Sequence, residues 1–319
     1  MDAGCAGYAF DEHGVLKKNG TDEGFKFTTQ KVYDEIGDYV TVKIQEMMKT
    51  QLGYEEIWLP ADKKPSVNVF VSPNISACGT VMLLIQGCGA VRAGQWARSL
   101  CINDTLETGS ILPYLRKAAE LGWGVVVFNP NLNAGVAPGG ERVPIEGSSQ
   151  PEEHTATVWD RVVKSRCAQA RDMVIVAHSY GGICSVSLLQ QREAEILPRL
   201  RAIAFTDSVH SVPSALSAEY IADLKRRYPM GHFKAPVPLS PAVSRLLDTR
   251  ACNWVSASTP LDTPAGHREG CPCVSAGTPQ HERTSSSAMT SVFSFLLRHL
   301  VADVRTPPVA AEEPPEMGG

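Results

Sequence analysis

The residues of this sequence best suited to chemistry lie in Ala177-His178-Ser179-Tyr180-Gly181, which follows the apolar run Met173–Ala177 and leads through Gly182 into a helical pattern. A serine on a sharp strand-to-helix turn, with small residues on either side, is the geometry of a nucleophile elbow. Here Ala177 stands where such elbows often carry a first glycine. A serine in that position can also simply cap a helix. The coincidence of strand, small residue, His-Ser-aromatic, double glycine and helix favours the elbow.

A serine hydroxyl attacks a carbonyl only when a base takes its proton, and this kind of fold delivers its parts in the order serine, acid, histidine. His281, in Ala276-Gly277-Thr278-Pro279-Gln280-His281, follows the last apolar run and is the expected base; His210, His232 and His267 lie in less anchored segments. For the acid, Asp207 ends the apolar run Ala202–Thr206 and is preferred, with Asp262, after WVSASTPL, as the alternative. The oxyanion of an acyl-transfer intermediate needs two backbone amides. Tyr180 would supply one, and Cys88, in the loop Gln86-Gly87-Cys88-Gly89-Ala90, the other.

These residues need a scaffold that gathers loops at one edge of a sheet. The apolar runs 57–61, 68–71, 81–85, 124–127, 173–177, 202–206, 254–258 and 273–277 read as strands. Helical patterns lie between several of them, at 110–122, 151–165 and 182–197, and flank the set at 30–53 and 287–304. Alternation of this kind predicts a three-layer α/β sandwich with a mainly parallel central sheet, of the α/β-hydrolase type. The expected organisation is an N-terminal extension over 1–29 and one domain over 30–304. Within that domain an insertion is expected at about 210–250, containing a helix in LSAEYIADLKRRYP, and a disordered acidic, proline-rich tail should cover 305–319.

Composition excludes several classes. With 319 residues, 43% of them hydrophobic, the chain can bury a large core. Its net charge of −4 and lack of a long basic run argue against strong direct nucleic-acid binding. Nine cysteines form no paired framework and fit a reducing compartment. The start carries no secretory leader and no run is long enough for a membrane span, so nuclear or cytoplasmic residence is expected. Cys271-Pro272-Cys273 lacks the usual metal-ligand spacing, and Gly87-Cys88-Gly89-Ala90-Val91-Arg92-Ala93-Gly94 departs from a dinucleotide fingerprint, so neither metal nor cofactor is expected.

Several segments together resemble the metazoan branch of the Arb-two (Argonaute-binding) domain family of cotranscriptional regulators. They are VMLLIQGCGAVRAGQWAR, GVVVFNPN, QPEEH at 150–154, VWD at 158–160, VAHSYGG at 176–182, TDSVH at 206–210, CNWVSASTPLDT at 252–263 and CPCVSAGTPQHERTS at 271–285. The resemblance implies an α/β-hydrolase-like domain acting in the nucleus with Argonaute and with splicing or chromatin proteins, in small-RNA silencing, heterochromatin formation and splicing control. It also implies a triad-like set at Ser179, Asp207 and His281, with no established substrate. The sequence departs from the family pattern at Gln86, where a histidine is usual, and at 134–140, a short linker in place of a basic insertion; its tail also ends without an ER-retention signal. The alternative to the regulatory reading is an active serine hydrolase on a small ester, thioester or amide.

Overall fold

Valine-rich and leucine-rich runs with no polar interruption form strands that must be covered on both faces. The computed structural model describes residues 5–210, 239–268 and 270–302. Its strands are β1 (Tyr8–Phe10), β2 (Leu16–Lys18), β3 (Glu55–Leu59), β4 (Val67–Val71), β5 (Thr80–Ile85), β6 (Gly124–Val127), β7 (Ala134–Val136), β8 (Arg142–Pro144), β9 (Asp172–His178), β10 (Leu200–Thr206), β11 (Ala251–Val255), β12 (Pro264–Arg268) and β13 (Cys271–Ser275). Nine of them make one sheet in the order β12-β13-β11-β10-β9-β5-β6-β4-β3. The interior pairings from β6 through β13 are parallel. The outer pairings β3–β4, β4–β6 and β12–β13 are antiparallel. This is the order of an α/β-hydrolase fold, as the alternation of runs predicts.

Side chains on β5 alternate between two cores. Met82 and Leu84 enter one, with Ile36, Val40 and Ile44 of the helix Gln30–Thr50 and Val292 and Leu296 of the helix Met289–Ala302. Val81, Leu83 and Ile85 enter the other, with Leu188 and Leu189 of the helix Gly181–Gln191 and Val158 of the helix Pro151–Val158. A period of two along the strand and apolar residues at every position produce the three layers.

The sheet order fixes where a site can form. From β5 the chain moves outward to β6 on one side, then returns to β9 on the other, so the loops after β5 and β9 diverge and leave a crevice at the carboxyl ends of these strands. The 86–90 loop follows β5, Ser179 follows β9, and Asp207 follows β10, the next strand along.

Several elements differ from the sequence reading. The expected helix over 151–165 is α-helical only to Val158; a π-helical turn over Trp159–Val163 then brings the fully buried Trp159 inward, with its Nε1 donating to Glu195 Oε2 at 2.9 Å. The helical pattern over 182–197 breaks after Gln191 and resumes as Glu193–Ile196. The 134–140 segment, read as a linker, contains β7 of a β7–β8 hairpin. Ahead of the first long helix, β1 and β2 pair, and Leu16 is buried in the core. The helix expected in LSAEYIADLKRRYP and the tail over 305–319 lie outside the described residues. Residues 241–250 of the expected insertion form a helix that buries Val243, Leu246 and Leu247.

Candidate active site

Ser179 has a backbone φ of 51°, in the left-handed region that disfavours any residue with a Cβ. The neighbouring chain holds it there. Its amide donates to the Thr206 carbonyl at 3.1 Å, and its own carbonyl accepts from the amides of Gly182 at 3.1 Å and Val209 at 3.2 Å. The next residues turn at once into the helix Gly181–Gln191. A Cβ on Gly181 would lie 2.3 Å from the Ile85 carbonyl oxygen, so only glycine lets the elbow pack against the end of β5. Among the described residues the Ser179 hydroxyl has no hydrogen-bond partner, although the residue is buried.

Asp207 also sits at positive φ, 46°, directly after β10. Its amide donates to the Trp254 carbonyl at 2.7 Å, which ties the turn to β11. Its Oδ1 accepts from the Ser256 amide at 3.2 Å, and its Oδ2 lies 2.7 Å from His281 Nδ1. Burial acts to raise this carboxyl, but the hydrogen bonds from His281 and Ser256 outweigh it and hold the group below the ordinary aspartate range. With Nδ1 engaged by a carboxylate, Nε2 of His281 is the nitrogen left to accept a proton. The His281 ring also packs 4.8 Å from that of His178, the residue before Ser179.

Asp262 is placed differently. Its Oδ1 accepts from Trp254 Nε1 at 3.0 Å and from Ser291 Oγ at 2.5 Å, so it fixes a tryptophan and the C-terminal helix. Of the other histidines, His210 Nδ1 lies 2.6 Å from Ser208 Oγ with its ring stacked on Phe205, and His267 pairs with Asp248 at 3.0 Å. His232 lies outside the described residues.

The loop after β5 brings Gly87 against the elbow. Burial pushes the Cys88 thiol up to about 11, so at neutral pH it is protonated and unsuited to nucleophilic attack. Tyr180 donates its phenol hydrogen to Glu152 Oε1 at 2.6 Å, anchoring the residue whose amide follows the serine. Gln86 is buried at 3% exposure, and its Nε2 has no partner among the described residues. Glu152, Ser256 and Asn131, which donates to the Gly87 carbonyl at 2.6 Å, were not singled out as site residues from sequence. The polar tripeptide Asn129-Pro130-Asn131, one residue after a buried valine run, is the signal that marks Asn131.

Two fully encased histidines give the fold an acid limit. Burial holds both His178 and His154 down to about 3, the nearby His281 adding to the effect at His178. His154 Nε2 accepts from the Asn129 amide at 2.9 Å, a bond that requires a neutral ring. In an unfolded chain a histidine takes up its proton near pH 6.5. Between about pH 6.5 and 3 the unfolded state therefore binds more protons than the folded one, and stability falls as pH falls. At about 1 kcal/mol per pH unit for each ring, roughly 3–4 kcal/mol should be lost between pH 7 and pH 5. Urea midpoints measured across that range test this, and a midpoint that does not move would show that these rings are not held neutral.

Comparison with known proteins bears on the fold and on the family. Among solved structures, the chain aligns with a histone deacetylase from Saccharomyces cerevisiae at a TM-score of 0.51 and 13% identity, covering 83% of this chain and 98% of that one. It aligns with the histone deacetylase Clr3 at a TM-score of 0.52 and 12% identity, covering 88% of this chain and 41% of that one. At such identities the likeness concerns the fold alone. Sequence relatives are nearer. The cotranscriptional regulator ARB2A homolog of Dictyostelium discoideum is 36% identical over 92% of this chain and 79% of its own length. The mouse cotranscriptional regulator ARB2A is 32% identical over 90% of this chain and 78% of its own length. The Arb2 domain model matches residues 6–228, from the N-terminal hairpin past the elbow and Asp207, and with these relatives it establishes that the chain belongs to the Arb2 domain family.

Proposed function

We propose that this chain is a cotranscriptional regulator that works with Argonaute in nuclear small-RNA silencing, heterochromatin formation and splicing control, and that its hydrolase-type site performs acyl transfer on a small ester, thioester or amide. The chemical half of this reading rests on one observation, the 2.7 Å pairing of Asp207 with His281 on the loop edge that carries the strained Ser179. The regulatory half rests on the family and on relatives named as cotranscriptional regulators.

In the chemical reading, Ser179 Oγ attacks the acyl carbon while His281 Nε2 takes its proton. Asp207 holds the ring and balances the imidazolium. The amides of Cys88 and Tyr180 receive the charge that develops on the carbonyl oxygen. His281 then returns the proton to the leaving group as the tetrahedral intermediate collapses, and water, activated by the same nitrogen, frees the serine. In the regulatory reading, a chain of net charge −4 gains little from phosphate contacts, so its route to RNA silencing is through protein partners.

One experiment separates the two halves. A fluorophosphonate probe is expected to label the intact protein at Ser179, and Ser179→Ala should abolish labelling while Argonaute still co-purifies. A folded wild-type chain that the probe never labels would remove the chemical half. Failure of the wild-type chain to recover Argonaute would remove the partner half, and loss of recovery in a folded Ser179→Ala variant would show that the two are not separable.

A further inference from the structure

The loop that faces Ser179 has a weakness built into it. A peptide beside glycine turns over easily, because glycine tolerates nearly all backbone conformations. A Cβ on Gly87 would lie 2.9 Å from the Ser179 Cβ, so this flexible stretch of backbone runs directly against the nucleophile. The peptide joining Gly87 to Cys88 carries the Gly87 carbonyl at one side and the Cys88 N–H at the other, and in a trans peptide the two point in opposite directions. Whatever fixes the carbonyl therefore fixes the amide.

Asn131 fixes the carbonyl. Its Nδ2 donates to the Gly87 oxygen at 2.6 Å and also reaches the Val91 oxygen at 3.3 Å, so one carboxamide grips both ends of the loop. The Cys88 N–H makes no hydrogen bond to another residue among those described. The tripeptide that carries Asn131 is itself tied down. Asn129 donates its amide to His154 Nε2, accepts from the Ala93 amide at 3.1 Å, and donates to Asn68 Oδ1 at 2.8 Å. His154 Nδ1 lies 3.0 Å from Ser148 Oγ, and Asn133 Nδ2 donates to both the Pro130 and Ser148 carbonyls at 2.8 Å. His154 and Asn129 are fully buried, where an unmade hydrogen bond is expensive, so the network has few alternative arrangements. Two segments with no catalytic assignment, Asn129-Pro130-Asn131 and Gln150-Pro151-Glu152-Glu153-His154, thus converge on the loop that faces the serine.

We propose that Asn131 is a positioning residue for the oxyanion hole: by gripping the Gly87 carbonyl it keeps the Cys88 N–H directed at the acyl oxygen above Ser179. The inference rests on the acyl-transfer reading for its consequence, but the clamp itself is measurable without catalysis. Asn131→Ala removes the donor, and Asn131→Asp keeps the shape while setting a carboxylate against the carbonyl, which favours turning the peptide over.

On the intact chain with p-nitrophenyl acetate, Asn131→Asp should lower kcat by about 10- to 100-fold with KM and melting temperature nearly unchanged, somewhat less than the loss of a whole oxyanion donor. An unchanged kcat, or a kcat lost only together with the fold, would overturn the proposal. A crystal structure of Asn131→Asp gives the second readout and should show the Gly87–Cys88 peptide turned over, with the Gly87 carbonyl directed away from residue 131. A peptide left as it was overturns the clamp whatever the wild-type activity. A turned peptide in a protein whose wild-type form neither hydrolyses the ester nor takes the phosphonate would leave the clamp standing and sink the acyl-transfer reading instead.

Discussion

Asp207→Asn should slow fluorophosphonate labelling of Ser179 by about 10³- to 10⁴-fold, with little change in stability. The carboxylate accepts from His281 Nδ1 at 2.7 Å, which leaves Nε2 without a hydrogen and able to act as base. An asparagine in its place presents either an amide oxygen or an amide N–H. If the N–H turns toward Nδ1, the ring is driven into the opposite tautomer, and in neither orientation is there a negative charge to balance the imidazolium. Asp262→Asn is the matched control. Its carboxylate binds Trp254 and Ser291 rather than a histidine, so the rate should change less than about threefold, since the change removes no group from the reacting atoms. Second-order labelling rates of the two variants at pH 7.5 decide the matter. Equal losses, or a larger loss at Asp262, would mean that Asp207 is not the acid.

Gly181→Val should destabilise the protein by at least about 4 kcal/mol, within the range of severe core overpacking. For a domain of this size that corresponds to a fall in melting temperature of roughly 8–16 °C. The branched side chain has no rotamer that avoids the clash, because the obstacle is already present at Cβ: the Ile85 carbonyl oxygen at 2.3 Å and the Gln86 carbonyl oxygen at 2.9 Å. Both belong to backbone at the end of β5, which pairs with β6 and β9, so neither yields without disturbing the centre of the sheet. A calorimetric scan within about 2 °C of wild type would show that the elbow and β5 are not packed together as described.

The legibility of this protein follows from the range over which each feature is fixed. Strands with unbroken apolar runs, such as Val125–Val127 and Met173–Ala177, could be read from sequence because burial on both faces leaves no other composition open to them. The elbow was legible for a local reason: the strand, Ser179 and the glycines that the turn requires are contiguous. The antiparallel β12, Pro264–Arg268, was not legible. It contains a proline, a glycine and a charged residue, and it forms because β13 offers a pairing edge. The hairpin within Ala134–Pro144 is equally illegible, since its residues match no apolar period.

The sequence favours Asp207 over Asp262 but does not fix which of them touches a histidine, because both follow apolar runs and precede His281. Only the packing separates them. The β10 end lies beside β9 and under the loop that carries His281, whereas the turn after β11 delivers Asp262 to Trp254 and Ser291. The clamp from Asn131 to Gly87 was equally hidden: 44 positions separate the two residues, and β5 and β6 become neighbours only when the sheet assembles. The sequence by itself determined the alternation, the elbow and the set of residues able to do chemistry, because these depend on side-chain type and near neighbours. The tertiary structure decided which acid meets the histidine and which side chain binds the Gly87 carbonyl, because hydrogen bonds of that kind require distant strand ends to be brought within 3 Å of one another.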